Sequence, residues 1–456
     1  FRYCRNITSM SIPDSVRSIE DSAFEKCSSL MSVNIPNSVT AIGYGAFHDC
    51  SSLTSVNIPN SVTTIGSLAF SGCSSLTSIS IPDAVTAIGK LAFFGCDALT
   101  DVYITNLAAW CEIKFDDSNS NPMSYAKNFY VNNELAIDIN IPDTVTSIGN
   151  YVFYKCSNLA SINIPNSVTE IGNYAFAKCS SLTNINIPDL IMSIGSSLFS
   201  GCSSLTSISI PDSVKVIEDN AFSYCSSLMS INIPNSVTTI GGFAFSGCSS
   251  LTSINIPNSV TAIGSSAFSG CSSLEDVYIT DLAAWCKIKF DSCVSNPMCY
   301  TKNFYINNEL ATDIVIPNTV IEIGEHAFEN CSNLTSVDMA DTVTTVGRDA
   351  FSGCSSLTSI NIPDSVTTIG RDTFAKCSSL TSMSIPGTVT TISDFVFYGC
   401  SSLTKVVIPS SVTSIGQYAF DCCRRLRNVY YDGTASDWQK ISISSDNDYL
   451  INANII

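Results

Sequence analysis

One spacing dominates this chain: sixteen of its cysteines recur every 23 residues, in runs from Cys4 to Cys96, Cys156 to Cys271 and Cys331 to Cys423. The same phrase fills each interval, and from Cys50 to Cys73 it reads CSSLTSVNIPNSVTTIGSLAFSGC. A repeat of this length is typical of stacked supersecondary units rather than of one closed core. The chain is therefore predicted to fold as a solenoid.

Each repeat predicts its own local structure. Val56 and Ile58 alternate with polar residues, which is the pattern of a strand with one buried face, and Pro59 ends the strand because it cannot donate to a ladder. Gly66 marks a bend that leads into a short helical turn near Cys73. We expect about 18 short parallel strands on one face, with short strands and helical turns on the other, in a right-handed α/β-type superhelix.

Stacked repeats align equivalent residues in columns, and a single turn is too small to bury its own apolar side chains. The predicted core includes column cysteines, column phenylalanines and the tryptophans of the modules described below. These residues are Cys50, Phe70, Cys73, Phe222, Trp110, Trp285 and Trp438.

Two turns are longer than the rest, at 37 residues each. They span 101–137 and 276–312, are near copies of each other and are offset by 175 residues, which indicates duplication of a multi-repeat block. Each enlarged turn predicts a strand, a short helix with its Trp inward, a loop and a hairpin. The Asn132-Asn133 and Asn307-Asn308 pairs suit the positive φ angles of a hairpin tip.

The segment 426–456 repeats the same Trp-containing pattern, with Ile441 three residues after Trp438. It is predicted to cap a single solenoid that spans 1–456, because an open last turn would expose apolar columns and unpaired backbone. Phe1 aligns with Phe24, so the chain opens inside a repeat and an upstream segment is expected.

Charged residues make up 13% of the chain and give a net charge of −18. This charge favours solubility of a Ser/Thr/Asn-rich surface and argues against a nucleic-acid partner. No run of 18 apolar residues predicts a membrane span, and we expect a monomer.

The column cysteines lack the C-x-x-C grouping of metal sites and are predicted to be buried, reduced packing residues. Cys293 and Cys299 replace Ser118 and Ser124 of the first enlarged turn, so they form either a local disulfide or two unrelated thiols. His48 and His326 lie in different repeats and cannot assemble a His-based triad or metal cluster. We therefore predict no catalytic residue, no metal and no cofactor.

The phrase AFSGCSSLTSINIPDSVTTIG, from Ala350 to Gly370, resembles the BspA-like leucine-rich repeats, also called the Treponema pallidum type. The resemblance covers nearly the whole chain and departs from the pattern in the Trp-containing turns and at Met339-Ala340. It implies a secreted or cell-surface protein of a host-associated microbe or mucosal protist, with host matrix or cell-surface proteins or glycans as partners. The family motif is structural, so it transfers no binding residue.

Outward strand positions are almost uniformly Ser and Asn, a surface without the aromatic anchors of binding hot spots. Five residues interrupt it and are the predicted ligand contacts: Asp101, Tyr103, Asp276, Tyr278 and Tyr430. Alternatively, each Tyr packs under the hairpin of its own module. A non-enzymatic binding or adhesion protein is the leading hypothesis, followed by a structural spacer that presents another domain, and then by an enzyme with its site in the module loops.

Overall fold

The computed structural model describes all residues, Phe1–Ile456, and forms two compact units. The first unit comprises Phe1–Ile231 and Gly247–Ser249, and the second comprises Asn232–Ser246 and Ser250–Ile456. In both units a turn contributes a first strand from its x-V-x-I phrase, a two-residue second strand and a corner segment before the cysteine. The predicted solenoid of short parallel strands is confirmed. Its description as one domain over 1–456 stays a prediction.

The first strands pair in parallel with residues one repeat apart in register, so that Val33 lies opposite both Met10 and Val56. In the first unit they are Ser9–Ser11, Ser32–Asn34, Ser55–Asn57, Ser78–Ser80, Asp101–Ile104, Asn128–Val131, Asp138–Asn140, Ser161–Asn163, Asn184–Ile185 and Ser207–Ser209, followed by Ser230–Asn232, whose last residue belongs to the second unit. In the second unit they are Ser253–Asn255, Asp276–Ile279, Asn303–Ile306, Asp313–Ile316, Ser336–Met339, Ser359–Asn361, Ser382–Ser384, Lys405–Pro409, Asn428–Asp432 and Asn454–Ile455.

The second strands end on a buried aliphatic or aromatic residue in most turns, and they pair in the same parallel register. In the first unit they are Ser18–Ile19, Ala41–Ile42, Thr64–Ile65, Ala87–Ile88, Lys114–Phe115, Ser147–Ile148, Glu170–Ile171, Ser193–Ile194 and Val216–Ile217. In the second unit they are Thr239–Ile240, Ala262–Ile263, Lys289–Phe290, Glu322–Ile323, Thr345–Val346, Thr368–Ile369, Thr391–Ile392, Ser414–Ile415 and Ser442–Ile443.

The corner segment differs from the helical turn expected near Cys73. It is a chain of overlapping β-turns, because Leu68 and Gly72 adopt left-handed φ angles of 58° and 74° that interrupt any helix. Successive backbone N–H groups of the corner alternate between a bond within the turn and a bond to the next turn. The N–H of Ala69 donates to the Gly66 carbonyl of its own turn, whereas the N–H of Phe70 donates to the Ala92 carbonyl of the next turn at 2.8 Å. The corner thus adds a third backbone ladder between turns.

Helices are few and short, and they lie in the Trp-containing turns. The α-helices are Leu107–Cys111, Leu282–Trp285, Ala435–Trp438 and Asp448–Ile451, and the 3₁₀ helices are Pro122–Ser124, Cys293–Ser295 and Pro297–Cys299. The hairpin strands Glu134–Leu135 and Glu309–Leu310 complete the elements. The longest helix has five residues, and none is long enough to cross a lipid bilayer.

The interior consists of columns, as the repeat predicts. Phe70 is fully buried and its ring stacks between those of Phe47 and Phe93, at centroid distances of 5.4 and 5.6 Å. Phe222 is fully buried and stacks on Phe199 at 5.4 Å. Offset stacking adds to the free energy gained from burying each ring.

The column cysteines do more than fill space. The thiol of Cys50 donates to the Phe24 carbonyl at 3.0 Å, and that of Cys73 donates to the Phe47 carbonyl at 3.3 Å. Equivalent bonds recur down the columns of both units, from Cys179 to Phe153 and from Cys377 to Phe351 for example. The residue must therefore be small, apolar and able to donate one weak hydrogen bond to the preceding turn, which describes a thiol.

The recurrent glycine before the corner has a packing role. A Cβ atom added to Gly66 would lie 2.7 Å from the backbone carbon of Gly43, one turn away. Neighbouring turns thus approach so closely at this point that no side chain fits between them.

Candidate functional site

Each enlarged turn inserts an additional strand into the first-strand sheet. Asn128–Val131 pairs in parallel with Asp101–Ile104 and antiparallel with Glu134–Leu135, which folds back as a hairpin. In the second unit Asn303–Ile306 pairs in the same way with Asp276–Ile279 and Glu309–Leu310. The hairpin tips, Asn132-Asn133 and Asn307-Asn308, have φ angles between 52° and 66°, as their sequence predicts.

The tryptophan holds each enlarged turn against the turn that follows. Trp110 is 1% exposed, and its indole N–H donates to the Val152 carbonyl at 3.0 Å. Its ring packs against Phe115 and Phe129 at centroid distances of 5.3 and 5.2 Å. Trp285 is equally buried and donates to the Ala327 carbonyl at 2.7 Å.

A fully buried asparagine lies beside each tryptophan and donates to the same backbone carbonyl. It was not among the residues predicted from the sequence. The Asn121 side chain accepts from the Met123 N–H at 2.9 Å and donates to the Tyr151 and Val152 carbonyls at 2.8 and 3.1 Å. Asn296 makes the corresponding bonds to Met298, His326 and Ala327. The N-P-M triplet that both copies share was the available signal.

A pair of tyrosines lies on the outward side of each enlarged turn. The half-buried Tyr103 ring stacks on Tyr130 of the inserted strand with centroids 4.7 Å apart, and Tyr278 stacks on Tyr305 at the same distance. The hairpin strand extends the row, because Leu135 lies opposite Tyr130 and Leu310 lies opposite Tyr305. Both predicted tyrosines thus pack beside their hairpin in an outward row, which we call the tyrosine row of each turn.

Burial raises the pKa of Tyr103, and the nearby Asp101 carboxylate and Tyr130 raise it further. Burial likewise raises the pKa of Tyr278, with Asp276 and Tyr305 adding to the effect. Both phenols therefore keep their protons at neutral pH and are able to donate hydrogen bonds to a ligand.

A row of carboxylate and amide groups runs beside the tyrosines. Asn128 donates to Asp101 at 2.8 Å, and Asn158 of the following turn donates to the Asn128 side-chain oxygen at 2.9 Å. In the second unit Asn303 donates to Asp276 and Asn333 donates to Asn303, each at 2.9 Å. Asp101 and Asp276 are thus fixed in place by amide donors, and these amides were absent from the sequence prediction.

The second enlarged turn also borders a cleft of about 830 Å³. Its lining includes the hairpin residues Ile306, Asn307, Glu309 and Leu310, and Asp313, Ile314, Val315 and Pro317 of the strand that follows and its end. Asp281 and Leu282, at the start of the short helix, also line it. The strand edges that face this cleft could not be recognised from the repeat pattern, because the pattern implies continuous pairing.

The C-terminal module departs from the two enlarged turns. Tyr430 is 39% exposed and lies opposite Val407, so no second tyrosine stacks on it as Tyr130 stacks on Tyr103. The expectation that Trp438 is a core residue needs correction, because it is half-buried. Phe115 and Phe129, whose rings pack against Trp110, are replaced in this module by the smaller Ile443 and Ile455, and Ile455 is 39% exposed. The Trp438 ring instead contacts the ring of Tyr431. The role of 426–456 as a cap stays a prediction.

Cys293 and Cys299 are free thiols in the structure, which corresponds to the second of the two alternatives, and the question of a local disulfide stays open. The Cys299 thiol donates to the Cys293 carbonyl at 2.6 Å, and in the first copy the Ser124 hydroxyl donates in the same way to Ser118. The pair of substitutions therefore keeps this loop contact.

Of the two histidines, His326 is the more deeply buried. It is 5% exposed, and its Nδ1 atom lies 2.7 Å from a Glu329 oxygen and 3.7 Å from an Asp349 oxygen. His48 is half-buried, with Nδ1 3.1 Å from the Ser71 carbonyl. The tyrosine rows contain neither residue, so their chemistry is that of phenols, carboxylates and amides, which suits binding.

Stacked turns with an L-x-x-V-x-I first strand define the leucine-rich repeat class of solenoids. A family model described as the BspA type leucine rich repeat region, with six copies, matches residues 1–121, 124–227, 192–296 and 298–427. The chain belongs to this family, which confirms the resemblance drawn from the sequence.

Two solved structures illustrate the similarity. A leucine-rich repeat protein from Bacteroides ovatus ATCC 8483 is 30% identical, with 93% of this chain and 91% of that chain covered and a TM-score of 0.49. A leucine rich cell surface protein from Faecalibacterium prausnitzii A2-165 is 32% identical, with 84% and 86% covered and a TM-score of 0.41. No protein of curated function matches the chain.

Proposed function

We propose that this chain is a non-enzymatic binding protein, secreted or displayed at a cell surface, that uses its tyrosine rows to contact host matrix or cell-surface proteins or glycans. Membership of the BspA-type family supports a role in binding. The observation that carries the proposal is the pairing of Tyr103 with Tyr130 and of Tyr278 with Tyr305 on a surface whose other outward strand positions are mostly Ser and Asn.

The tyrosine rows have the features of a binding surface. Tyrosine presents a large, stiff ring and a polar tip, and it is enriched among residues that dominate binding free energies. Stacking holds Tyr278 in one orientation, and Asp276 and Asn303 beside it offer acceptors and donors at fixed positions. A ligand would therefore contact aromatic and amide side chains that are already ordered, so little conformational entropy would be lost on binding.

Tyr103→Ala combined with Tyr278→Ala tests the proposal on a printed array of purified extracellular-matrix proteins and glycans. We expect the full chain to bind at least one array component, and the double variant to bind it about tenfold or more weakly, the loss typical of removing an interface hot spot. The matched control combines Asn57→Ala with Asn163→Ala, which removes exposed outward residues of regular strands.

The control variant should bind like the unaltered chain, and circular dichroism should show that both variants fold. If the tyrosine variant binds normally while the asparagine variant loses binding, the Ser and Asn surface is the contact surface and the proposal is wrong. Absence of binding by the unaltered chain to every component would also contradict it.

A further inference from the structure

The hairpin of the second enlarged turn interrupts the first-strand sheet. Glu309–Leu310 is the last strand of one four-stranded sheet, and Asp313–Ile316 is the first strand of the next, three-stranded sheet. Glu309–Leu310 pairs with Asn303–Ile306, and Asp313–Ile316 pairs with Ser336–Met339. The backbone edges that face each other across the interruption therefore have no strand between them.

Unpaired strand edges present rows of N–H and C=O groups that another extended chain can join. The cleft of about 830 Å³ lies at this interruption and is lined by residues of both edge strands. An extended segment placed in this cleft would lie beside the residues of Asp313–Ile316 that line it.

The side chains around the cleft specify what could enter. Leu310 and Val315 are 42% and 68% exposed, which is unusual for aliphatic residues of strands. Asp281, Glu309 and Asp313 supply three carboxylates, and the lining contains no Lys or Arg. Hydrogen bonds from Ser336, Thr335 and Thr312 lower the pKa of Asp313, so its carboxylate is charged at neutral pH.

We infer that this cleft binds an extended, basic peptide segment of a partner protein, which adds as a strand to the edge of Asp313–Ile316. Alternate side chains of the segment would face inward beside the buried Ile314 and outward beside Asp313 and Val315. Apolar residues fit the inward positions. Lysines fit the outward ones, since their stems can cover Val315 and Leu310 while their ammonium groups reach Asp313 and Glu309.

The inference rests on the proposed binding function but uses residues other than the tyrosines. The first enlarged turn provides an internal comparison. It has the same interruption, between Glu134–Leu135 and Asp138–Asn140, but Asn140 stands where the second copy has Val315. Leu135 of the first copy is exposed like Leu310, so the part of this aliphatic surface that is specific to the second copy is Val315.

The test uses the full chain and a fluorescein-labelled ten-residue peptide of alternating Lys and Val, with binding followed by fluorescence anisotropy. We expect saturable binding and increased hydrogen-exchange protection of the amides in Asp313–Ile316. Val315→Asn, which restores the residue of the first copy, should weaken binding about fivefold through lost apolar contact. Glu309→Gln should weaken it about two- to fivefold, the range for an exposed ion pair.

Two control peptides separate strand addition from charge attraction. A peptide with Glu in place of Lys should not bind, because it meets three carboxylates. A Lys/Val peptide with alternate backbone amides N-methylated keeps its charge but loses the donors that face the edge, and it should not bind either. Tyr103→Ala, in the first enlarged turn and outside the cleft lining, should leave the peptide affinity unchanged, so failure of the tyrosine proposal and failure of this one give different results.

Three results would overturn the inference. Equal binding of the N-methylated peptide would mean that charge alone attracts it. Unaltered affinity in both Val315→Asn and Glu309→Gln would place the peptide elsewhere on the chain. Concentration-dependent dimers in sedimentation velocity that Val315→Asn abolishes would identify a second copy of this chain as the occupant of the edge.

Discussion

Replacement of Asn121 by alanine should destabilise the first unit strongly, because this side chain joins the enlarged turn to the turn after it. The substitution removes one bond accepted from the Met123 N–H and two bonds donated to the Tyr151 and Val152 carbonyls. The two carbonyls keep other donors, Tyr154 N–H and the Trp110 indole N–H. The Met123 N–H, in a fully buried residue, loses its side-chain acceptor.

The size of the effect follows from these contacts. Three hydrogen bonds contribute about 1 kcal/mol each, and the unsatisfied buried donor adds to the loss, so we expect a decrease of about 3 kcal/mol or more in the free energy of unfolding. For a dependence on urea of about 2 to 3 kcal/mol per molar, the midpoint should fall by roughly 1 M.

Urea unfolding monitored by tryptophan emission measures this change, because Trp110 shares the Val152 carbonyl with Asn121. Asn106→Ala is the matched control in the same turn: it removes an exposed helix N-cap that accepts from the Ala109 N–H, for about 1 kcal/mol. A midpoint shift for Asn121→Ala no larger than that of Asn106→Ala would refute the argument that the buried asparagine holds the turns together.

Three further predictions concern the interior columns. Phe222→Ala should lower the free energy of unfolding by about 3 to 5 kcal/mol, since the ring is fully buried and stacks on Phe199, and an unchanged denaturation midpoint would contradict this. Burial raises the pKa of Cys50 to about 12, so its thiol should resist iodoacetamide at pH 8 until denaturant is added, which mass spectrometry of the labelled peptides can measure. The raised pKa also makes the free energy of unfolding depend on pH, because the unfolded thiol ionises near pH 9 and the folded one does not. The free energy of unfolding should therefore fall as pH rises from about 9 towards 12. Alkaline titration monitored by circular dichroism tests whether it falls.

Much of the fold could be predicted because each repeat packs against neighbouring turns that carry the same sequence pattern. Val56 and Ile58 alternate with polar residues, Pro59 ends the strand, and every neighbouring turn carries the same pattern, so the register has a single consistent solution. The corner could not be predicted in the same way. Its left-handed positions are occupied by residues as different as Leu68 and Lys26, whose sequence preferences give no sign of that conformation.

The candidate site was predicted only in part. The change from Ser or Asn to Tyr identified Tyr103 and Tyr278, but their partners Tyr130 and Tyr305 lie on inserted strands outside the 23-residue repeat. The phrase NFYV at Asn128 has the same spacing as DVYI at Asp101 and was the signal for this additional strand. The open edge of Asp313–Ile316 could not be predicted from the sequence, because its pairing depends on the path that the chain takes after the hairpin.

The constant spacing of contacts bears on how each unit acquires its structure. Phe47, Phe70 and Phe93 meet across intervals of 23 residues, and so do the strand pairs and the corner ladder around them. Closing a loop of that size costs the same conformational entropy at every turn, whatever the length of the chain. Folding of a unit is therefore expected to begin at any well-packed group of turns and to advance turn by turn, each new turn forming on the one before it, so that the enlarged turns, with their long loops, set the slowest steps.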